Sequence, residues 1–351
     1  MKPSVIAPIA GWLLLGGTFL GWGGPYLVLV TAGLMACVMA AVHHAEVVAH
    51  RTGEPFGTLV LALAVTVIEV ALIVSLTLAG GEAASALARD TVFAAVMIIL
   101  TGMVGLCLLA GGSRHHEQEF GLYGTSAALT TLAAIAVLTM VLPNYTQAVP
   151  GPYYSGPQLT FIAVVSLVLY GTFVLVQTVR HRDYFLPAGD GDAAVVQPPT
   201  ARATWTSGVL LLACLGAVVL LAKALAPTVE GAVAAMGAPQ AVVGILIAAV
   251  VLAPEGFAAL RAARANRLQA SLNLALGSAL ASIGLTIPAI AVLSLATGQT
   301  LKLGLDGLAT MLLLLSLFIA SMSLGTGRTT VLQGIVHLVL FAVYLFTTVI
   351  P

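Results

Sequence analysis

Two acidic residues stand where acids are costly. Glu69 lies inside the apolar run Leu59 to Gly81, and Glu255, directly preceded by Pro254, lies inside a second run that begins near residue 238. An ionised side chain at the centre of a membrane span is unfavourable by about 3 kcal/mol on insertion scales, so a carboxylate there needs a partner. The polar groups on the same and following apolar stretches are oxygen donors: Thr66 one turn before Glu69, then Thr101, Asn273, Ser278 and Ser282. Ser278 and Ser282 are four residues apart and share a helix face. Carboxylate, hydroxyl and amide oxygens suit hard cations such as Ca²⁺ or Na⁺, whereas zinc or copper would call for His or Cys among them. Pro254 adds one more oxygen, because a proline inside a helix frees a carbonyl about four residues earlier, near residue 250. Glu69, Glu255, Thr66, Thr101, Asn273, Ser278 and Ser282 are therefore the candidate cation ligands.

Charge arithmetic gives these residues a mechanism. Empty and ionised, two carboxylates in a medium of low dielectric form a doubly negative site that is reluctant to reorient. One divalent cation, two protons, or one monovalent cation with one proton makes the site neutral. A site of this kind exchanges one load for another and does not leak.

The elements that must position these residues are membrane helices. Of the 351 residues, 60% are hydrophobic and 7% charged, against roughly 25% charged in soluble domains, so the class expected is an all-α polytopic membrane protein. Hydropathy and loop punctuation give eleven spans, at about 4–22, 25–48, 55–80, 91–112, 121–142, 157–180, 205–225, 238–260, 270–296, 303–323 and 329–350. The first is kept as a span and not a signal peptide, since Gly-Trp-Gly-Gly follows it where a small-residue cleavage site would stand. Placing the N-terminus inside puts ten Lys and Arg residues on cytoplasmic segments and three (Arg89, Lys223, Lys302) on outer loops, which predicts a cytoplasmic N-terminus and a periplasmic C-terminus. Thirteen basic and thirteen acidic residues cancel, leaving no basic surface for nucleic acid. Cys37, Cys107 and Cys214 each stand alone in an apolar run and read as small core residues.

The spans repeat. Around the third the chain reads Glu46, six residues, Gly53-Glu54-Pro55 and an apolar run to Glu69; around the eighth it reads Glu230, six residues, Gly237-Ala238-Pro239 and an apolar run to Glu255. Met103-Val-Gly-Leu in the fourth span likewise matches Ser282-Ile-Gly-Leu in the ninth. The organisation expected is an extra first helix (1–24), a five-helix repeat (25–180), a cytoplasmic linker (181–204) and a second five-helix repeat (205–351). Five is odd, so the second repeat must insert upside down. Inverted repeats are an architecture of alternating-access transporters, whose sites lie near the midplane. At 1.5 Å per residue Glu69 lies roughly 21 Å along its helix from Pro55, and Glu255 roughly 24 Å from Pro239. In tilted helices both reach the middle third of a core ~30 Å thick.

Several strings extend the pattern: Gly53-Glu-Pro-Phe-Gly, Thr66-Val-Ile-Glu-Val-Ala-Leu-Ile, Ala88-Arg-Asp-Thr-Val-Phe-Ala-Ala, Leu252-Ala-Pro-Glu, Arg261-Ala-Ala-Arg-Ala-Asn-Arg-Leu-Gln and Leu272-Asn-Leu-Ala-Leu-Gly-Ser-Ala-Leu-Ala-Ser. In these the chain resembles the cation/proton antiporters of the calcium/cation exchanger superfamily, over nearly its whole length. The resemblance implies that Glu69 and Glu255 are the main cation and proton ligands, completed by Thr101, Ser278 and Ser282. It also implies Ca²⁺, Na⁺ and K⁺ as candidate cargoes exchanged for H⁺, with no cofactor besides the transported ions, and a bacterial inner-membrane location. The chain departs from the superfamily where a Gly-Asn pair commonly precedes each glutamate, having Val65-Thr66 and Val251-Leu252, and where Thr101 or Ser282 replaces a common Asn. Fewer amide ligands leave the preferred ion open. The alternative is a passive cation channel with a carboxylate-lined pore. An intramembrane hydrolase would need a nucleophile with a base, or His-Glu-x-x-His zinc ligands, and no such constellation is present, so an enzyme is not expected. Monomer and homo-oligomer both remain open.

Other residues read more plainly. Glu46 and Glu230 recur near the membrane edges, Lys223 being seven residues from Glu230; an interfacial ion pair or cap and a proton-entry role are both open. His43, His44 and His50 mark a wetted helix end, and His337, alone in the last span, a satisfied core histidine. His115-His116-Glu117-x-Glu119 resembles a metal cluster but falls in a charged cytoplasmic turn. Asp190 and Asp192 lack the rest of a calcium loop and belong to a solvated linker. Gly11, Gly16, Gly17 and Gly21 allow close helix packing in the first span.

Overall fold

Long apolar runs leave the backbone one way to satisfy its own polar groups in lipid, the α-helix, and the helices stop where side chains take over the capping. The computed structural model describes residues 3–22, 24–52, 64, 66–74, 85–185 and 199–350. Among them stand α1 (Pro3–Phe19) and α2 (Tyr26–Thr52), a helical stretch α3 at 66–74, and α4 (Leu87–His115), α5 (Leu122–Tyr145) and α6 (Gly156–Arg180). The second half has α7 (Ala201–Ala235), α8 (Ala241–Arg264), α9 (Leu268–Thr297), α10 (Gly307–Ser323) and α11 (Val331–Val349). The architecture is all-α with eleven helices among the described residues. Eight are long and apolar enough to cross a membrane; α1 and α10 are apolar but shorter. The Gly53-Glu54-Pro55 frame, both ends of the third span, and Asp190 and Asp192 lie outside the described residues.

The starts of α6 and α11 are capping boxes, Ser155 with Gln158 and Thr330 with Gln333. Asp306 caps α10 by accepting from the Ala309 N–H at 2.8 Å, which moves its start to Gly307 from the expected 303. The seventh span departs most from expectation. It runs unbroken through Pro227 to Ala235, so Lys223 and Glu230 sit within α7, and Lys223 is not in an outer loop. Proline costs a helix one hydrogen bond and a local clash, and the Ala-rich sequence beyond it resumes the helix. Two short strands, β1 (Gln118–Glu119) and β2 (Arg328–Thr329), pair antiparallel with Gln118 opposite Thr329.

The chain divides into two compact units, Met1–Gly80 with Ala193–Val243, and Gly81–Asp192 with Gly244–Pro351. In the first, α1 packs on α2 and α7 through Gly11, where an added Cβ would lie 2.5 Å from Cys37 Sγ and 3.3 Å from Ala217 Cβ. The Trp12 indole donates to the Ala213 carbonyl at 3.1 Å, and His44 Nε2 meets the Ser4 carbonyl at 2.9 Å. His44 is thus a buried residue with a backbone partner, where the sequence suggested a wetted end.

In the second unit α4 and α9 are the most enclosed helices. Their matched glycines do matching work. A Cβ on Gly105 of α4 would lie 3.0 Å from His337 Cβ of α11, and one on Gly284 of α9 would lie 2.8 Å from Tyr170 Cβ of α6. Each glycine therefore admits the last helix of the opposite half of the chain.

Candidate cation site

Glu255 is placed by α8, which runs alongside α4. An added Cβ on Gly244 would lie 3.1 Å from Thr91 N, and one on Gly256 would lie 3.5 Å from Met103 Cε. Twelve residues along α8 thus keep step with a similar length of α4, and Glu255 arrives at the level of the segment preceding Val104. The helix continues through Pro254 without interruption. Glu255 is buried, and the Ser278 hydroxyl on α9 donates to its Oε2. Ser282, one turn further along α9, is buried as well, as is Thr286 one turn beyond it.

The facing part of α4 is not an ordinary α-helix. Over Ile98–Met103 it widens into a π-helical stretch, with the Val104 N–H bonded to the Ile99 carbonyl five residues back. Thr101 lies within this stretch, fully buried. Its hydroxyl donates to the Met97 carbonyl. The single hydroxyl proton is committed to the helix, which leaves the oxygen's lone pairs for an electron-poor neighbour. π-Helical turns are rare and recur at functional positions because they re-aim side chains within an otherwise regular helix.

Asn273 stands apart from this group. Its side-chain Nδ2 donates to the Phe185 carbonyl at 2.6 Å, and its Oδ1 accepts from Gln269 Nε2 at 2.8 Å. Gln269 in turn accepts from the Gly121 N–H. These amides hold the segment that follows α6 against α5 and α9. In the first unit Glu69 and Thr66 are both buried and lie one turn apart on α3.

The structure accounts for residues the sequence left between readings. Glu117 and Glu119 pair with Arg328 at 3.3 and 2.7 Å, and His115 Nε2 meets the Arg264 carbonyl at 3.0 Å, so this turn is a clasp of ion pairs and the β1–β2 ladder. At the other end of α4, the Arg89 guanidinium bonds Asp90 at 2.6 Å and donates to the Gly304 carbonyl at 2.9 Å. His337 is fully buried and doubly bonded, with Nδ1 2.7 Å from the Leu100 carbonyl and Nε2 2.7 Å from Ser323 Oγ. The π-helical stretch itself was missed. Nearly every position of α4 is apolar and buried, so a one-residue shift of phase leaves no mark on its pattern; the polar signals were Thr101 within the stretch and the isolated His337 in another helix.

Residues 15–179 and 206–350 match the family described as sodium/calcium exchanger protein. The chain is 52% identical to the y4hA protein of Sinorhizobium fredii, covering 93% of this chain and 89% of that one. It is 36% identical to the sodium-potassium/proton antiporter ChaA of Escherichia coli, covering 99% of this chain and 96% of that one. Its fold is similar to the crystal structure of the Ca²⁺/H⁺ antiporter YfkE, with a TM-score of 0.76 at 17% identity and full coverage of both chains.

Proposed function

The chain belongs to the sodium/calcium exchanger protein family, and from that membership, as a cation/proton antiporter of the Ca²⁺/H⁺ exchanger type, we propose that it exchanges a hard cation (Ca²⁺, Na⁺ or K⁺) for protons by alternating access at a site built on Glu69 and Glu255. The observation that carries this reading is the buried Glu255 carboxylate, set inside a membrane-length helix and bonded to Ser278 of the neighbouring helix. Its counterpart Glu69 is buried in the other half of the chain. Thr66, Thr101, Ser278 and Ser282 supply further oxygens, whereas Asn273, its amide bonded to Phe185 and Gln269, stands outside the ligand set. Two negative charges are neutralised by one Ca²⁺, by two H⁺, or by one Na⁺ or K⁺ with one H⁺, so only loaded forms cross between inward-open and outward-open states. The close passage of α11 at Gly105 and of α6 at Gly284 supports two halves related by an internal two-fold. The N-terminus is cytoplasmic and the protein resides in the bacterial inner membrane.

The test uses everted membrane vesicles carrying a pre-formed pH gradient, to which Ca²⁺, Na⁺ or K⁺ is added in turn. The parent protein dissipates the gradient with at least one of these ions. Glu69→Gln and Glu255→Gln each reduce that response by about a hundredfold or more, on the order expected when a buried ion loses its charge partner. Exchange that survives both substitutions would place the site elsewhere.

A further inference from the structure

The His337 side chain of α11 bonds the π-helical turn of α4 from outside. α11 can come close enough because glycines line the contact. An added Cβ at Gly334 would lie 2.5 Å from Leu109 N, one at Gly112 would lie 2.8 Å from Val331 N, and one at Gly102 would lie 3.4 Å from the Phe341 ring. This backbone-to-backbone approach brings the His337 ring to the Leu100 carbonyl, the residue directly before Thr101. A carbonyl can only accept, so Nδ1 carries the ring proton and Nε2 accepts from the Ser323 hydroxyl. The opposite half lacks this device. Tyr170 of α6 occupies the corresponding place across Gly284, and α9 is regular α-helix from Leu268 to Thr297.

We propose that His337 is a positioning residue for the cation site, its Nδ1–H holding the Leu100 carbonyl and with it the π-helical turn that aims Thr101. The inference rests on the reading of Thr101 as a cation ligand. It assigns to the last helix, which contributes none of the candidate ligands, control over the affinity of the site. His337 touches no cargo; it acts through the backbone of its neighbour.

Asparagine and glutamine separate the two ring nitrogens. In His337→Asn the introduced amide nitrogen stands where Nδ1 stands, and in His337→Gln it stands where Nε2 stands. The experiment measures the cation concentration for half-maximal exchange and the maximal rate in vesicles, normalised to protein in the membrane, for His337→Asn, His337→Gln and Thr101→Ala. His337→Gln raises half-saturation roughly fivefold, the worth of one net hydrogen bond, with the maximal rate within about twofold of the parent. His337→Asn stays within about twofold in both. Equal behaviour of the two variants, whether both intact, both impaired or both missing from the membrane, overturns the proposal. An unchanged half-saturation in Thr101→Ala is a different failure, that of the ligand role of Thr101.

Discussion

At the scale of single residues, one hydroxyl can serve a carboxylate and a cation in turn. Ser278 donates its one proton to Glu255 Oε2, and the same oxygen retains lone pairs that a cation can use once the proton swings away. Hydrogen bonds to charged groups are worth more than neutral ones, about 1.5–3 kcal/mol. Part of that is recovered by water or by rearrangement, so Ser278→Ala raises the half-saturating cation concentration by about three- to tenfold while the protein still accumulates in the membrane. Concentration dependence of exchange in vesicles checks this, and an unchanged value would make Ser278 a packing residue. Glu69, Glu255, Thr66, Ser278 and Ser282 were legible in the sequence as polar residues within the helices, all of them buried, because a polar side chain inside an apolar run stands out by type and spacing alone. The partners of Asn273 were not, since Phe185 lies 88 residues away and contributes a backbone carbonyl, which has no sequence signature.

At the scale of elements, small residues decide how close the helices come. Gly334 of α11 lies against the backbone of Leu109, and a Cβ there would sit 2.5 Å from a nitrogen that cannot move without its helix. Gly334→Ala therefore costs about 1–3 kcal/mol by overpacking. The control is Gly171 of α6, where nothing lies within 4 Å of an added Cβ, and alanine there is neutral or stabilising by up to about 1 kcal/mol through helix propensity. Thermal unfolding of the purified variants in detergent shows a lower transition for the first and no lowering for the second; equal transitions would remove the close-packing argument. Of the ten helix ranges that can be compared with their expected spans, most begin and end within a few residues of where hydropathy and turn residues placed them. The exceptions have physical causes. α7 outruns its hydropathy because alanines continue a helix past Pro227, and α10 starts late because Asp306 offers a better cap than the residues before it. The π-helical stretch of α4 left no trace in an apolar sequence, since it changes phase and not composition.

At the scale of the whole molecule, the two halves of the chain are interleaved. Each compact unit draws helices from both halves, so the sequence repeat and the packed unit are different divisions of the same chain. The repeat was legible in Gly105 and Gly284, which the sequence paired and which the structure gives equivalent tasks. The symmetry is broken at the π-helical turn of α4, where its counterpart α9 is regular, and at His337 of α11, where its counterpart across Gly284 is Tyr170 of α6. The central claim, that cation and protons compete for the carboxylates of Glu69 and Glu255, is tested most directly on the purified protein in weakly buffered detergent solution. Ca²⁺, Na⁺ or K⁺ is added at a pH where the empty site holds protons, and the protons released are counted against the cation bound. Cation binding releases close to two protons for each Ca²⁺ or one for each Na⁺ or K⁺, and the release is lost together with high-affinity binding in Glu69→Gln and in Glu255→Gln. Cation binding without proton release, or release that persists in both variants, would contradict that claim.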